Sequence, residues 1–163
     1  MKFPDPPRGF KAKLWRMPIW IYRLGFGFLM GEKALLLTHQ GRKSGKDRQT
    51  VLEIIHCESK AGIYYVVSGF GSRSQWYQNI VQNPSVTIQV GSRKMAARAQ
   101  QLGSEEASQQ ILDYTERNPK NLQILGSMMG YEIEHTPEGY LAFGKEIPII
   151  QLRTQNGDNI VTS

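Results

Sequence analysis

The chain has one cysteine, Cys57, among 163 residues, so no intramolecular disulfide can staple it. A reducing compartment is the default expectation, and Cys57 reads as a small core residue. Its three histidines, His39, His56 and His135, are far apart and lack spaced cysteine or acidic companions, so no zinc site is expected. No apolar run reaches the roughly 20 residues that a membrane-spanning helix needs. Leu14 to Met30 comes nearest, but Arg16 and Arg23 interrupt it, and a charge inside a bilayer is costly. That segment also lacks the clean apolar stretch and small-residue cleavage site of a signal peptide. No G-x-S-x-G elbow is present, which argues against a serine hydrolase of that design. A Walker A loop needs four residues between its glycines, then Lys and Ser or Thr. Here three residues separate Gly41 from Gly45, and Asp47 follows Lys46, so a P-loop NTPase is excluded.

What is present suits one domain with a single core: 40% hydrophobic residues and 21% charged. The net charge of +6 favours anionic partners, whether nucleic acid, acidic lipid or a phosphorylated ligand. The cations cluster in one loop and at the N-terminus. Nucleic-acid binders instead show a basic stripe interleaved with exposed aromatics, or a known module, so no nucleic acid is expected. A non-enzymatic protein that binds a membrane surface or an anionic ligand stays open as an alternative.

Residues 1–13 read as a basic, flexible lead. Over 14–30, Trp15, Ile19, Tyr22 and Phe26 fall on one side of a helix, with Arg16, Trp20 and Arg23 on the adjacent side. Such a basic amphipathic helix either caps the domain's own core or lies in a membrane interface, and the two are compatible. A single domain is expected over 14–152, followed by a polar tail over 153–163. Strands are expected at Ala34–Thr38, Gln49–Cys57 and Ile63–Val67, the last two as a hairpin. A helix from about Trp76 should stop at Asn83-Pro84. A second hairpin joins Val86–Val90 to Lys94–Leu102. Ser104 is the expected N-cap of a helix reaching Arg117, with Glu105 and Glu106 where the helix dipole favours acids. An irregular helix is expected over 120–135, and strands at Leu141–Phe143 and Ile147–Leu152. Glu132 and Glu134 should only solvate one face of a strand or turn. Hairpins with short helices between them indicate an α+β fold with an antiparallel sheet or barrel.

The densest basic stretch is Gly41-Arg42-Lys43-Ser44-Gly45-Lys46-Asp47-Arg48, between the first two strands. Glycines allow a sharp turn and bring N–H groups close to a ligand. Arg offers a planar fork matched to phosphate, and Lys a point charge. The stretch is a candidate anion cradle; the alternative is a solvated loop that keeps an edge soluble. Ser68-Gly69-Phe70-Gly71-Ser72, between a strand and a helix, is a weaker candidate whose amides would face a phosphate or a ring carbonyl.

Leu35-Leu36-Leu37-Thr38, followed by Gly41 to Lys46 and Arg48, resembles the deazaflavin-dependent nitroreductase and quinone reductase family. So do Val66-Val67-Ser68-Gly69-Phe70-Gly71, Trp76-Tyr77-x-Asn79, Asn83-Pro84-x-Val86 and Ile147-Pro148-Ile149-Ile150. The likeness runs from about residue 14 to residue 152. It implies a split β-barrel related to the FMN-binding barrels. It also implies the reduced 8-hydroxy-5-deazaflavin coenzyme (coenzyme F-420) as hydride donor to a quinone, an activated alkene or a nitro compound. FMN, whose single phosphate needs fewer cations, is the alternative cofactor.

By the same resemblance, Arg42, Lys43, Lys46 and Arg48 would hold the coenzyme's phosphate and acidic tail, with loop contacts from Ser44 and Gly45. Thr50, Val51 and Leu52 would run along the ring. Ser68, Gly69, Phe70 and Gly71 would line its other side, and Trp76 would pack against it. A proton would follow from solvent or from a tyrosine, with Tyr131 and Tyr140 as the candidates. Pairing into a homodimer, a cytoplasmic location and contact with the inner face of the membrane complete the implied picture. Asp47 stands where some members have Pro, which weakens the local positive field. Phe70 stands where some have Lys, which makes that wall more apolar.

Overall fold

The computed structural model describes residue 29 and residues 31–155, apart from the side chains of residues 124, 125 and 127–129. The lead over 1–13, nearly all of the helix expected over 14–30, and residues 156–163 of the tail lie outside the described residues.

Six strands form a closed antiparallel barrel: β1 (Ala34–Gln40), β2 (Asp47–Glu58), β3 (Ile63–Val67), β4 (Ser85–Val90), β5 (Arg93–Gln101) and β6 (Ile149–Thr154). The order around the barrel is β1-β2-β3-β6-β5-β4, and β4 pairs back onto β1. Closure leaves no sheet edge open. With the helices this is the expected α+β barrel, and both expected hairpins form.

Two apolar layers follow from the alternation of side chains along each strand. Leu35 and Leu37 of β1, Leu52 and Ile54 of β2, Ile88 and Val90 of β4, and Ile150 and Leu152 of β6 fill the barrel. Ile55, Tyr65 and Ile149 point outward and pack with Ile111, Tyr114, Leu122 and Phe143 of the helical layer. A bulge between Ile54 and His56 shifts the register and presents Ile55 to that layer. Helix α1 (Gln75–Gln82) lies against the barrel interior through Trp76, Tyr77 and Ile80. Helices α2 (Ser104–Arg117), α3 (Pro119–Met129) and α4 (Pro137–Glu146) form the outer layer.

Several expectations need correction. Leu141–Phe143 is not a strand but lies in α4. Thr136 caps that helix by accepting the Gly139 N–H at 3.0 Å, and Pro137 supplies a pre-set first turn. Gly144 then lets α4 close on α2: a Cβ there would come within 2.5 Å of Ser108 Cα. The N-cap of α2 is Gly103, not Ser104, because the Gly103 carbonyl already accepts the Ala107 N–H. The helix expected over 120–135 is shorter, Pro119–Met129.

The last strand begins at Ile149, since Pro148 has no N–H for a ladder. It runs past residue 152 to Thr154, which pairs with Ala97. At the other end β1 extends to Gln40 and β2 starts at Asp47, so the connection between them is only Gly41 to Lys46. Arg48 therefore sits on a strand, directly opposite His39.

Candidate functional site

The Gly41–Lys46 connection is a preformed turn. The Gly45 N–H donates to Gly41 O at 2.7 Å, and the Gly41 N–H donates to Lys46 O at 2.8 Å. Ser44 Oγ accepts the Lys46 N–H at 3.3 Å. Gly45 has φ +65°, a conformation that L side chains adopt only with strain. Gly41 is buried, and a Cβ on it would meet Ser44 Oγ at 2.9 Å. Gly45 is thus required by its backbone conformation, while a side chain at Gly41 would push Ser44 Oγ aside. The turn leaves Lys43, Ser44, Lys46 and the adjoining Arg48 exposed, with Asp47 the acid among them.

Arg42 behaves differently from its neighbours. Its backbone N–H and its Nη1 both donate to Asn79 Oδ1, at 3.1 and 3.0 Å, and Nη1 also reaches Gln75 Oε1 at 3.1 Å. Asn79 is buried, and its Nδ2 lies 3.1 Å from His39 Nδ1. Gln40 ties the turn down again: its Nε2 donates to Gly45 O at 3.0 Å, and its Oε1 accepts from Asn83 Nδ2 at 2.9 Å. One turn is thereby fastened to both ends of α1.

His39 is buried, only 5% exposed. Burial, and then the positive charge of Arg48, lower its pKa to about 4, against a partial opposing pull from Asp47. At neutral pH it carries no charge.

The Ser68–Ser72 segment reaches the same helix from the other side. Ser68 is fully buried; its Oγ bonds the Gly71 carbonyl at 2.7 Å and Ser74 Oγ at 2.8 Å. Ser74 is the residue that precedes α1, and Gln78 of α1 donates to Ser72 O at 2.9 Å. The two candidate loops therefore meet at α1. The amides of this segment are partly spent: the Ser68 N–H goes to Pro148 O and the Gly71 N–H to Ser68 O.

Tyr131 fixes the segment from behind, its hydroxyl donating to Gly69 O at 2.8 Å in a buried setting. Burial pushes its pKa up to about 12, only partly offset by Arg73. Tyr140 lies apart, its hydroxyl 3.5 Å from His135 Nδ1 at the surface.

The Thr50–Leu52 run divides between faces. Leu52 belongs to the barrel core, so only its main chain faces elsewhere. Thr50 shares its inward face near the rim, and Val51 points outward, half-buried. Trp76 packs partly buried against the barrel interior with its ring edge-on to Tyr77, at a centroid distance of 6.4 Å. Cys57 is half-buried and its thiol pKa is raised by burial, as for an inert core residue.

Sequence reasoning gave no site role to His39 or to Asn79, although Asn79 stands in the Trp76-Tyr77-x-Asn79 motif. Both break an apolar stripe: His39 continues the inward series Leu35, Leu37, and Asn79 lies between Trp76 and Ile80 on the barrel side of α1.

Among solved structures, an F420-H2 dependent reductase covers 76% of this chain and 96% of its own, at 23% identity and TM-score 0.52. A protein described as a domain-swapped dimer covers 89% and 100%, at 20% identity and TM-score 0.54. The heme storage protein HutZ of Vibrio cholerae covers 78% and 85%, at 15% identity and TM-score 0.51. These likenesses establish the fold, a split barrel. A Mycobacterium tuberculosis protein with the provisional description F420H(2)-dependent quinone reductase is 37% identical over 86 residues, 52% of this chain and 71% of its own. The family model for F420H(2)-dependent quinone reductases matches residues 16–124, a span that includes both candidate loops and α1. The chain belongs to the F420H(2)-dependent quinone reductase family and is an F420-dependent reductase.

Proposed function

We propose that the Gly41–Lys46 turn, with Arg48, holds the anionic end of reduced coenzyme F420, and that the chain passes its hydride to a quinone. The observation that carries this reading is the braced turn itself. It is shaped before any ligand arrives, and it exposes Lys43, Lys46 and Arg48 beside the fork of Arg42. A phosphodiester with an acidic tail is the ligand chemistry that such a donor set suits. FMN has no support from the family description.

When bound, the coenzyme supplies the hydride, and the protein supplies orientation and exclusion of water. Lys43 and Lys46 neutralise anionic charge, Ser44 and the Gly45 backbone contact it, and Arg48 extends the cationic rim along β2. Thr50 and Val51 border the ring with the main chain of Leu52. Ser68, Gly69 and Phe70 with Gly71 form the facing wall, and Trp76 closes the space against the barrel. Tyr131 holds that wall in place through Gly69; its hydroxyl is already donated and hard to ionise. The proton that completes reduction therefore comes from solvent.

Activated alkenes and nitro compounds are further acceptors of the same electron-poor class. The +6 charge and the basic segment over 14–30 support contact with an anionic membrane, where an apolar quinone would partition. A fold relative described as a domain-swapped dimer supports pairing of two copies. No described helix is long and apolar enough to cross a membrane.

The test is equilibrium titration with oxidised coenzyme F420, read by tryptophan fluorescence, for the wild type and for Lys43→Ala with Lys46→Ala. The double variant should fold normally and bind far more weakly. Unchanged affinity would remove the turn as the binding site.

A further inference from the structure

Asn79 sits where three partners over-determine its orientation. Two donors of Arg42, the backbone N–H and Nη1–H, converge on Oδ1. Turning the amide over would set its own NH2 against those donors. Nδ2 must then face His39, and His39 Nδ1 must accept, which selects the neutral ring with its proton on Nε2. The groups around His39 reinforce this state. Arg48 lies opposite it on β2 with Asp47 beside Arg48, Arg42 lies beyond Asn79, and the α1 residues facing the turn, Gln75 and Asn79, are uncharged. On β4 the neighbouring pair is Thr38 with Thr87, again uncharged.

The consequence falls on Arg42. Its guanidinium is held along the Nη1 edge by Asn79 and Gln75. Its Nε and Nη2 hydrogens have no protein partner among the described residues. A guanidinium held on one edge presents its other edge as a ready two-donor fork for a phosphate or carboxylate. Unlike Lys43 and Lys46, which are exposed, Arg42 is half-buried and need not be ordered when an anion arrives.

We infer that His39 and Asn79 are positioning residues that preset Arg42 for an anionic group of the coenzyme. The inference rests on the assignment of the turn as the coenzyme's anion site. Protonating His39 would put a hydrogen on Nδ1 facing the Asn79 NH2, expel the amide and release Arg42. The neutral ring is therefore the competent one.

The experiment uses the full-length chain with His39→Leu, which removes the acceptor, and His39→Gln, whose amide oxygen can accept but does not titrate. Oxidised coenzyme F420 is titrated against each variant at about pH 7.5 and about pH 4, in protein shown to be folded at both, a span in which only the histidine-bearing protein changes state at this position. Steady-state kcat and KM are measured beside it. At the higher pH, His39→Leu should raise the Kd about fivefold, the scale of one hydrogen bond, with kcat within about twofold. His39→Gln should restore the affinity. On acidification the wild type should lose more affinity than His39→Gln does, and the difference isolates His39 from titration of the coenzyme. Should His39→Leu not fold, Asn79→Ala carries the same expected rise in Kd.

Equal affinities for wild type, His39→Leu and His39→Gln in folded protein would overturn the positioning role. So would identical acid responses of wild type and His39→Gln. The anion-site assignment fails on a different result, unchanged affinity in Lys43→Ala with Lys46→Ala, so the two failures are separable.

Discussion

The Tyr131 hydroxyl donates a 2.8 Å hydrogen bond to the Gly69 carbonyl, joining the segment after α3 to the loop after β3 across 62 positions of sequence. Both groups are buried, and the Tyr131 ring stands edge-on to Phe143, with centroids 5.3 Å apart. The helical layer thereby sets the height of the Ser68–Gly71 wall.

Tyr131→Phe keeps the ring and removes the donor. It should destabilise the fold by about 1–2 kcal/mol, since a buried carbonyl loses its partner. Urea unfolding checks this. It should also raise the KM for the coenzyme while leaving the pH dependence of kcat unchanged, because the hydroxyl holds a loop and delivers no proton. A collapse of kcat with coenzyme affinity intact would reassign Tyr131 as the proton donor.

Gly144→Ala should destabilise by about 1–3 kcal/mol, the range for an overpacked contact. The added methyl would come within 2.5 Å of Ser108 Cα and 3.1 Å of Ala107 O, both of them backbone atoms. Thermal unfolding would show the loss. Coenzyme affinity in the folded fraction should fall less than in Tyr131→Phe, because the Tyr131–Gly69 hydrogen bond is retained.

Gly45→Ala meets no atom within 4 Å, so its effect is purely conformational. Holding Ala at φ +65° costs about 1 kcal/mol. The turn should relax, and coenzyme affinity should fall with little change in global stability. Parallel urea unfolding and ligand titration distinguish this from general damage.

Folding stability should decline as pH falls from about 6.5 toward 4. His39 has its folded-state pKa lowered to about 4, so over that window the unfolded chain binds the extra proton and the native state does not. Stability contributed by the neutral ring is complete above 6.5 and lost as pH falls through the window, on the order of 2–3 kcal/mol. Urea midpoints at stepped pH, compared between wild type and His39→Gln, report the contribution. Parallel curves for the two proteins would count against it.

Coenzyme binding should weaken between about 50 mM and about 500 mM salt, since exposed charges are screened as the Debye length shortens. The residual high-salt affinity should depend more on Arg42 than on Lys43 or Lys46, because Arg42 is half-buried and already ordered.

Much of this architecture is legible in residue order. Ile63–Val67 is read to the residue, because five β-forming residues lie between clear turns and local pattern suffices. The break at Asn118-Pro119 is equally plain: proline disfavours helical geometry in the residue before it, and α2 ends at Arg117. The basic turn and its two glycines also stand out, because local charge density and backbone freedom need no distant partner.

Leu141–Phe143 fails for the opposite reason. Three apolar residues fit a strand as well as a helix, and the deciding signals lie upstream in the Thr136-Pro137 cap and across space in the contact of Gly144 with Ser108. The pairing of His39 with Asn79 is further out of reach. It joins residues 40 apart and exists only because barrel closure brings the end of β1 beneath α1. Local sequence sets which segments form strands, helices and a cationic turn, since backbone preference and burial pattern act over a few residues. Which edge of Arg42 is bound, which tautomer His39 keeps and which wall Tyr131 supports are set by packing, because each depends on a hydrogen-bond partner that the chain supplies from far away.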